Sequence, residues 1–322
     1  MSLRKIASVC AWFVLVVPVW AIAPKDPGTP DPRIVRRERA EVFSARIDPG
    51  APTPAGLAAQ EFLSRRPGEW TFLVDARTDK AVLVQGSGIA VIPGKGNTLD
   101  PAVMAGLALP DGDVTVESLV PLARAFIDAN WALLGPRNGR IELDPVTSNV
   151  REKGRLASIY FTWYVGDVPV EDAGVFVRIN HGNITQFGAP LIGRADVDPV
   201  PAVERDDAVA AVIEWARHDQ ETRLVDEPRL VIQPERAGDD LTYRLVWVVA
   251  YTVPDGIETW EGRVDAHSGE IVAFHDVNMY NRVKGGIYMI SPFSSSETSV
   301  PLRDVTVFNG GNRPTNGAGE YN

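Results

Sequence analysis

From Phe161 to Phe187 the sequence reads FTWYVGDVPVEDAGVFVRINHGNITQF, with apolar and polar side chains alternating, turning, and alternating again. A period of two fits a pleated strand with one buried face, so this stretch must fold as hairpins lying on a core. The pattern recurs. FLVDARTDKAVLV (72–84), VRINHGNITQF (177–187) and GRVDAHSGEIVAF (262–274) align with one another. Each joins an alternating strand to a return strand of β-branched residues through a polar turn of Asp or Asn, Thr, Ser or His, and in two of them Gly. Such turn residues supply the positive φ and the local hydrogen bonds that a tight hairpin requires.

Three stretches have the longer helical period. PAGLAAQEFLSRRP (54–67) is a short helix with Leu57, Phe62 and Leu63 expected on its apolar side. In TVESLVPLARAFIDANWALLG (115–135), Leu119, Leu122, Ala123, Phe126 and Ile127 form one stripe, Thr115 can cap the start and Gly135-Pro136 ends the run. Pro121 fits only near the first turn. AVERDDAVAAVIEWARHDQ (202–220) puts Val209, Val212, Ile213 and Ala216 on one side, with Glu204, Asp206 and Asp207 at the positive end of the helix dipole. Further strands are expected within 69–94, 228–234, 241–253 and 258–277. A helix stands ahead of each of the last two aligned hairpins. The predicted fold class is therefore α+β: repeated helix-on-antiparallel-sheet modules, followed by the start of a β-rich module. The expected divisions are a signal peptide at 1–23, an extended leader at 24–54, and an N-terminal α+β module at 55–114. Modules at 115–197 and 198–278 follow, and 279–322 is the start of a β-sandwich module or a linker.

The first 23 residues have Arg4 and Lys5 followed by an apolar run from Ile6 to Val19. That run falls short of the ~20 residues of a membrane span and reads as a secretory signal, cleaved after Ala23 or Ala21. The expected location is secreted or otherwise extracytoplasmic. Cys10, the only cysteine, lies inside this segment. A mature chain without thiols has no disulfide scaffold, catalytic cysteine or zinc–thiolate site. The formal net charge of −10 and the lack of a basic run argue against nucleic acid, whose phosphates need clustered Lys and Arg, and against anionic membranes after signal cleavage.

No reactive constellation is legible. The four histidines, His181, His218, His267 and His275, include no H-E-x-x-H, the spacing that sets two imidazoles and a carboxylate around a metal. His181 and His267 fall in hairpin turns, and His275-Asp276 near His267 lacks a third ligand at suitable spacing. GSG (86–88) and HSGE (267–270) are not a nucleophile elbow, VIPGKGNT (91–98) lacks P-loop spacing, and LPDGD (109–113) is too short for a calcium loop. Asp239-Asp240 and Asp206-Asp207 read as solvated surface and a helix start. Trp163, Trp247 and Trp260 lie in alternating strands as core residues. No catalytic, cofactor-binding or metal-ligating residue is assigned.

RLASIYFTWYVGDVPVEDAGVFVRINHGNITQFGAPLI (155–192) resembles the FTP (fungalysin/thermolysin propeptide) module. The resemblance is carried by the aromatic strand Phe161-Trp163-Tyr164, the Gly166–Val170 turn, the strand Val175–Ile179 and the hairpin Asn180–Ile184. Residues 199–277 are similar to the PepSY module, through a Pro-led helix with paired acids, LVWVVAY, and VDAHSGEIV. The resemblance implies the pro-region of a secreted zinc metallopeptidase, a folding assistant and inhibitor of a peptidase domain in cis or in trans. It implies no activity in this chain alone, with zinc only in a catalytic domain outside it. Residues 279–322 resemble the opening of a small β-sandwich module or a linker into a peptidase domain, so the chain is expected to be a fragment of a longer exported protein. Two alternatives remain: a standalone peptidase inhibitor or binding module, and the N-terminal part of a surface protein with β-sandwich repeats.

Overall fold

The computed structural model describes residues 32–35, 40–94, 97–100, 114–152, 154–218, 221–254, 258–278, 284–288, 297–301, 306–308 and 312–314. Residues 1–23, where a signal peptide is expected, and LPDGD (109–113) lie outside the described residues.

Helix α1 (Pro54–Arg65) starts at Thr53, whose hydroxyl accepts from the Gly56 N–H at 3.0 Å, and has Pro54 in its first turn. Its buried stripe is Ala55, Ala58, Ala59 and Phe62, one face at i, i+3, i+4 and i+7. Leu57 falls outside that stripe and is 57% exposed, so it does not share the apolar side with Phe62. The stretch 115–135 divides into α2 (Val116–Ala129) and α3 (Trp131–Leu134). Asn130 causes the break: its side-chain amide donates to the Phe126 carbonyl at 2.7 Å, taking the acceptor that a continuing helix would use. Thr115 and Ser118 form a reciprocal cap, and Pro121 is accommodated in the second turn. Helix α4 (Arg205–Ala216) ends at Arg217 in the left-handed conformation.

The first thirteen strands form one sheet. Its N-terminal half has the order β1 (Ala45–Arg46), β2 (Trp70–Asp75), β3 (Lys80–Ala90), β8 (Asn183–Gly188), β7 (Val168–Asn180), with β6 (Leu156–Val165) on the far side of β7. Strands β4 (Arg140–Leu143) and β5 (Asn149–Arg151) both pair with β6. The C-terminal half continues through β10 (Arg229–Ala237), β11 (Asp240–Thr252), β12 (Thr259–Asp265) and β13 (Ile271–Asp276), with β9 (Arg223–Leu224) also on β11. All these pairings are antiparallel except the junction between halves, where β10 runs parallel to β7 with Ile232 opposite Val170. Beyond it lie two separate two-stranded ladders, β14 (Lys284–Tyr288) with β15 (Glu297–Pro301) and β16 (Thr306–Phe308) with β17 (Asn312–Pro314).

This architecture overturns the expected α+β series of repeated helix-on-antiparallel-sheet modules. The hairpins do not each found a module; they join edge to edge in one large mixed sheet with few helices. The physical reason is that an isolated hairpin leaves a row of unpaired backbone groups on each edge. Here β3 satisfies them on β8, and β7 satisfies them on β8 and β10. The core agrees: one apolar cluster runs from Phe62 of α1 and Ile127 of α2, through Trp163 and Phe187, to Ile232, Leu245 and Ala266 of the C-terminal half. Helix α4 covers a smaller cluster with Val249, Tyr251, Val264 and Phe274.

What does repeat is a turn. Asp75 and Asp265 hold equivalent places in two aligned hairpins. The Asp75 side chain accepts from the Arg77 N–H at 3.0 Å, and that of Asp265 accepts from His267 and Ser268 at 2.9 and 2.8 Å. Four residues on, Asp79 (φ 55°) and Gly269 (φ 79°) take the left-handed conformation. The third hairpin instead turns through His181-Gly182, both with positive φ, as a two-residue hairpin loop demands. A Cβ at Gly182 would collide with the Ile92 carbonyl.

Candidate interaction surface

Alternation along β6 divides its side chains between two faces. Ala157, Ile159, Phe161, Trp163 and Val165 are buried, while Ser158, Tyr160, Thr162 and Tyr164 point to the opposite side. The helical residues packed on this half all belong to the core-side cluster. The other face therefore has no helical cover among the described residues.

A polar ladder crosses that uncovered face over four strands. Register sets Tyr160 of β6 opposite Phe176 of β7, Arg178 of β7 opposite Gln186 of β8, and Gln186 opposite Gln85 of β3. The Arg178 guanidinium donates through Nη1 to the Gln186 carbonyl at 3.1 Å and through Nη2 to the Tyr160 hydroxyl at 3.2 Å. It also lies 5.0 Å from the Phe176 ring centre, and the Tyr160 and Phe176 rings are 5.8 Å apart. The Gln186 amide in turn donates to the Gln85 carbonyl at 3.3 Å. A surface cleft of about 800 Å³ opens at the β3 end, with Gln85 and Gln186 in its wall beside Arg46, Thr71 and Thr185. A long side chain so held loses less conformational entropy when it meets a partner.

On the C-terminal half the same sheet face carries a buried ion network. Arg263 of β12, 3% exposed, reaches both carboxylate oxygens of Glu171 on β7 (2.8 and 2.9 Å), Glu261 at 2.8 Å and Gln233 of β10 at 2.9 Å. Burial alone would lower the Arg263 pKa; the hydrogen bond and charge of Glu171, reinforced by Glu261, outweigh it and raise the value. Gln233 passes the network to Glu235, which binds Arg244, and Arg244 Nη1 reaches Asp265 at 2.7 Å. Burial works against the Asp265 charge, yet the N–H groups of Ser268 and His267, together with Arg244, bring its pKa below the usual range. The network spans β7, β10, β11 and β12, so it fastens the parallel junction. A two-fork arginine contact of this kind fixes geometry as well as charge.

The residues singled out from sequence are dispersed. His181 lies in the β7–β8 turn beside Asn180, His267 is exposed with Nε2 3.2 Å from the Val200 carbonyl, and His218 packs against the Tyr251 and Trp260 rings. His275 stands on β13 opposite Glu261. No group of three or more His, Cys, Asp or Glu side chains placed to hold a metal ion occurs among the described residues. Asp206 and Asp207 occupy the first turn of α4, and Asp239-Asp240 sit exposed where β10 turns into β11. Trp163 is fully buried with its indole N–H on the Asn138 carbonyl; Trp247 and Trp260 are partly buried in the apolar clusters. Sequence reading missed Arg178 and Arg263. Each is the lone arginine at a polar position of an alternating strand; apart from Glu261 and Phe176, two residues away on the same strand, its partners lie on other strands, so only register could have revealed those.

No family model matches the sequence, and no curated protein matches it. Among solved structures, the chain is similar to the Bacillus megaterium YpeB C-terminal domain, at 13% identity over 70% of this chain and 96% of that one, with a TM-score of 0.29. That likeness is too distant to carry a functional argument.

Proposed function

We propose that the chain is a non-catalytic pro-region of an exported zinc metallopeptidase, acting as folding assistant and inhibitor of the peptidase domain. The observation that carries this reading is the uncovered sheet face with its ordered Tyr160–Phe176–Arg178–Gln186 ladder. Tyr and Arg are the residue types that concentrate binding energy at protein interfaces, and a partner domain is what such a face serves. The resemblance of 155–192 and 199–277 to FTP and PepSY supplies the partner's class.

Two measurements test it. The coding sequence past Asn322 should reach an H-E-x-x-H with a distal Glu or His ligand; tandem β-sandwich modules there would instead favour a surface protein, and a stop codon a standalone inhibitor. Purified chain from residue 24 should restrain peptide cleavage by that peptidase domain added in trans. It should leave casein intact with or without zinc. Zinc-dependent casein cleavage by the chain itself overturns the reading.

A further inference from the structure

From the ladder we infer that the partner of this face is an acidic protein surface, and that Arg178 is the residue that receives its carboxylate. This rests on reading the face as a partner-binding surface. Every contact Arg178 makes among the described residues is with a neutral group: the Gln186 amide, the Tyr160 hydroxyl and the Phe176 ring. It has no ion pair there, although the chain as a whole carries ten more negative than positive charges. Arg140 of β4, by contrast, pairs with Glu142 and Asp167. A guanidinium has five N–H donors in a planar fork. Two are used within the ladder, one on each side of the head group. The remaining donors can take a carboxylate, and the ring beneath and the two neutral hydrogen bonds hold the head group in place before the partner arrives. A neutral amide and a phenol hold an arginine in position without neutralising it, whereas a carboxylate at either place would have cancelled its charge. Phe176 is itself buried, at 8% exposure, so the accessible part of the half-buried Tyr160 ring is what the same partner would cover, excluding water from the ion pair and strengthening it.

The probe is a hexaglutamate peptide, titrated into the ¹⁵N-labelled full chain with acetate as the free-carboxylate control. Peptide should shift the Arg178 Nε–Hε resonance together with the backbone amides of Tyr160, Phe176 and Gln186, and the shifts should weaken with added salt. Arg178→Gln should reduce the apparent affinity roughly tenfold or more, and Arg178→Lys should fall between, since it keeps the charge and loses the fork. Tyr160→Phe, which keeps the ring and removes one acceptor, guards against a folding defect in the arginine variants. Shifts centred elsewhere, equal response to acetate and peptide, or an Arg178→Gln chain that binds as the parent does would each overturn the inference. If Arg178→Gln still restrains the peptidase as the parent does, the carboxylate inference fails while the pro-region reading stands. If the peptide binds at Arg178 but no peptidase is restrained, the reverse holds.

Discussion

Lys80 begins β3, is 7% exposed, and has one described hydrogen bond, from Nζ to the Ala132 carbonyl at 3.0 Å in α3. Burial pulls its pKa down to about 8, Arg137 adds to the fall, and Asp79 opposes it. The unfolded chain holds this proton to near 10.5, so between about pH 8 and 10.5 the unfolded state binds more protons than the folded one. Stability should therefore rise over that window, by up to about 3 kcal/mol, and stay flat with respect to Lys80 below it. Lys80→Met removes the titration and should abolish the rise. Urea denaturation of both proteins at pH 7, 8.5 and 10 reads the difference directly, and parallel curves would show that Lys80 titrates alike in the folded and unfolded chains, its pKa not lowered by burial. The cost of a buried ammonium is offset here because it meets the carbonyl end of a short helix, where a cation is favoured.

At the scale of elements, the Pro- and charge-rich leader docks on both ends of the sheet. Val35 exchanges two backbone hydrogen bonds with Phe274 of β13, at 2.9 and 2.8 Å. Arg33 caps the end of α4 through the Ala216 carbonyl at 2.6 Å and lies over the Trp260 ring, while the Trp215 indole donates to the Arg33 carbonyl at 2.9 Å. Farther on, Phe43 sits between the guanidiniums of Arg77 and Arg236, and Ala45–Arg46 pair with β2. The segment thus shields two edges that would otherwise invite pairing with another chain. Arg33→Ala should free the first anchor and speed hydrogen exchange at the Phe274 amide about tenfold, with the amide of Leu245 in the core unchanged. Unaltered exchange at Phe274 would mean that Arg33 contributes nothing to holding Val35. None of this was visible in the sequence, because residues 24–54 have little apolar periodicity, and the partners of Arg33 and Val35 lie more than a hundred residues away. The elements that were legible are those with a local signal: the α2 stripe of Leu119, Ala123 and Ile127, the alternation of β6, and the Asp turns at 75 and 265. The candidate surface was half legible. Alternation sorted Tyr160 from Phe161, but which strand lay beside which, and hence the company of Arg178, depended on pairing across the chain. Local period also misplaced Leu57, since a one-turn apolar pattern cannot say which of two overlapping stripes the sheet will cover.

For the whole molecule, the decisive contact is the parallel junction of β7 and β10, because there two antiparallel halves become one sheet. Backbone pairing at the junction is short, centred on Ile232 and Val170. Two things reinforce it: the core shared through Ile232 and Leu245, and the Arg263–Glu171 fork above. The fork is costly to assemble, since both charges leave water, but once formed it is costlier to break from one side. Arg263→Met would remove the buried guanidinium from the Glu171 and Glu261 carboxylates and should destabilise the chain by about 3–5 kcal/mol. Replacing Glu171 by Gln in the same chain should recover part of that loss by removing one of the carboxylate charges that faced the guanidinium. If the shared core makes both halves one cooperative unit, unfolding followed by tryptophan fluorescence, reporting on Trp163 and Trp247 in different halves, should coincide with far-UV circular dichroism in the parent and the variant alike. The alternative has a distinct signature: were the halves independent, Arg263→Met would split the transition, with the strands β10–β13 melting first and the Trp163 environment persisting. Coincident curves shifted together by the substitution would place the cooperative boundary outside the sheet, so that a surface built on β3, β6, β7 and β8 draws its rigidity from strands a hundred residues away.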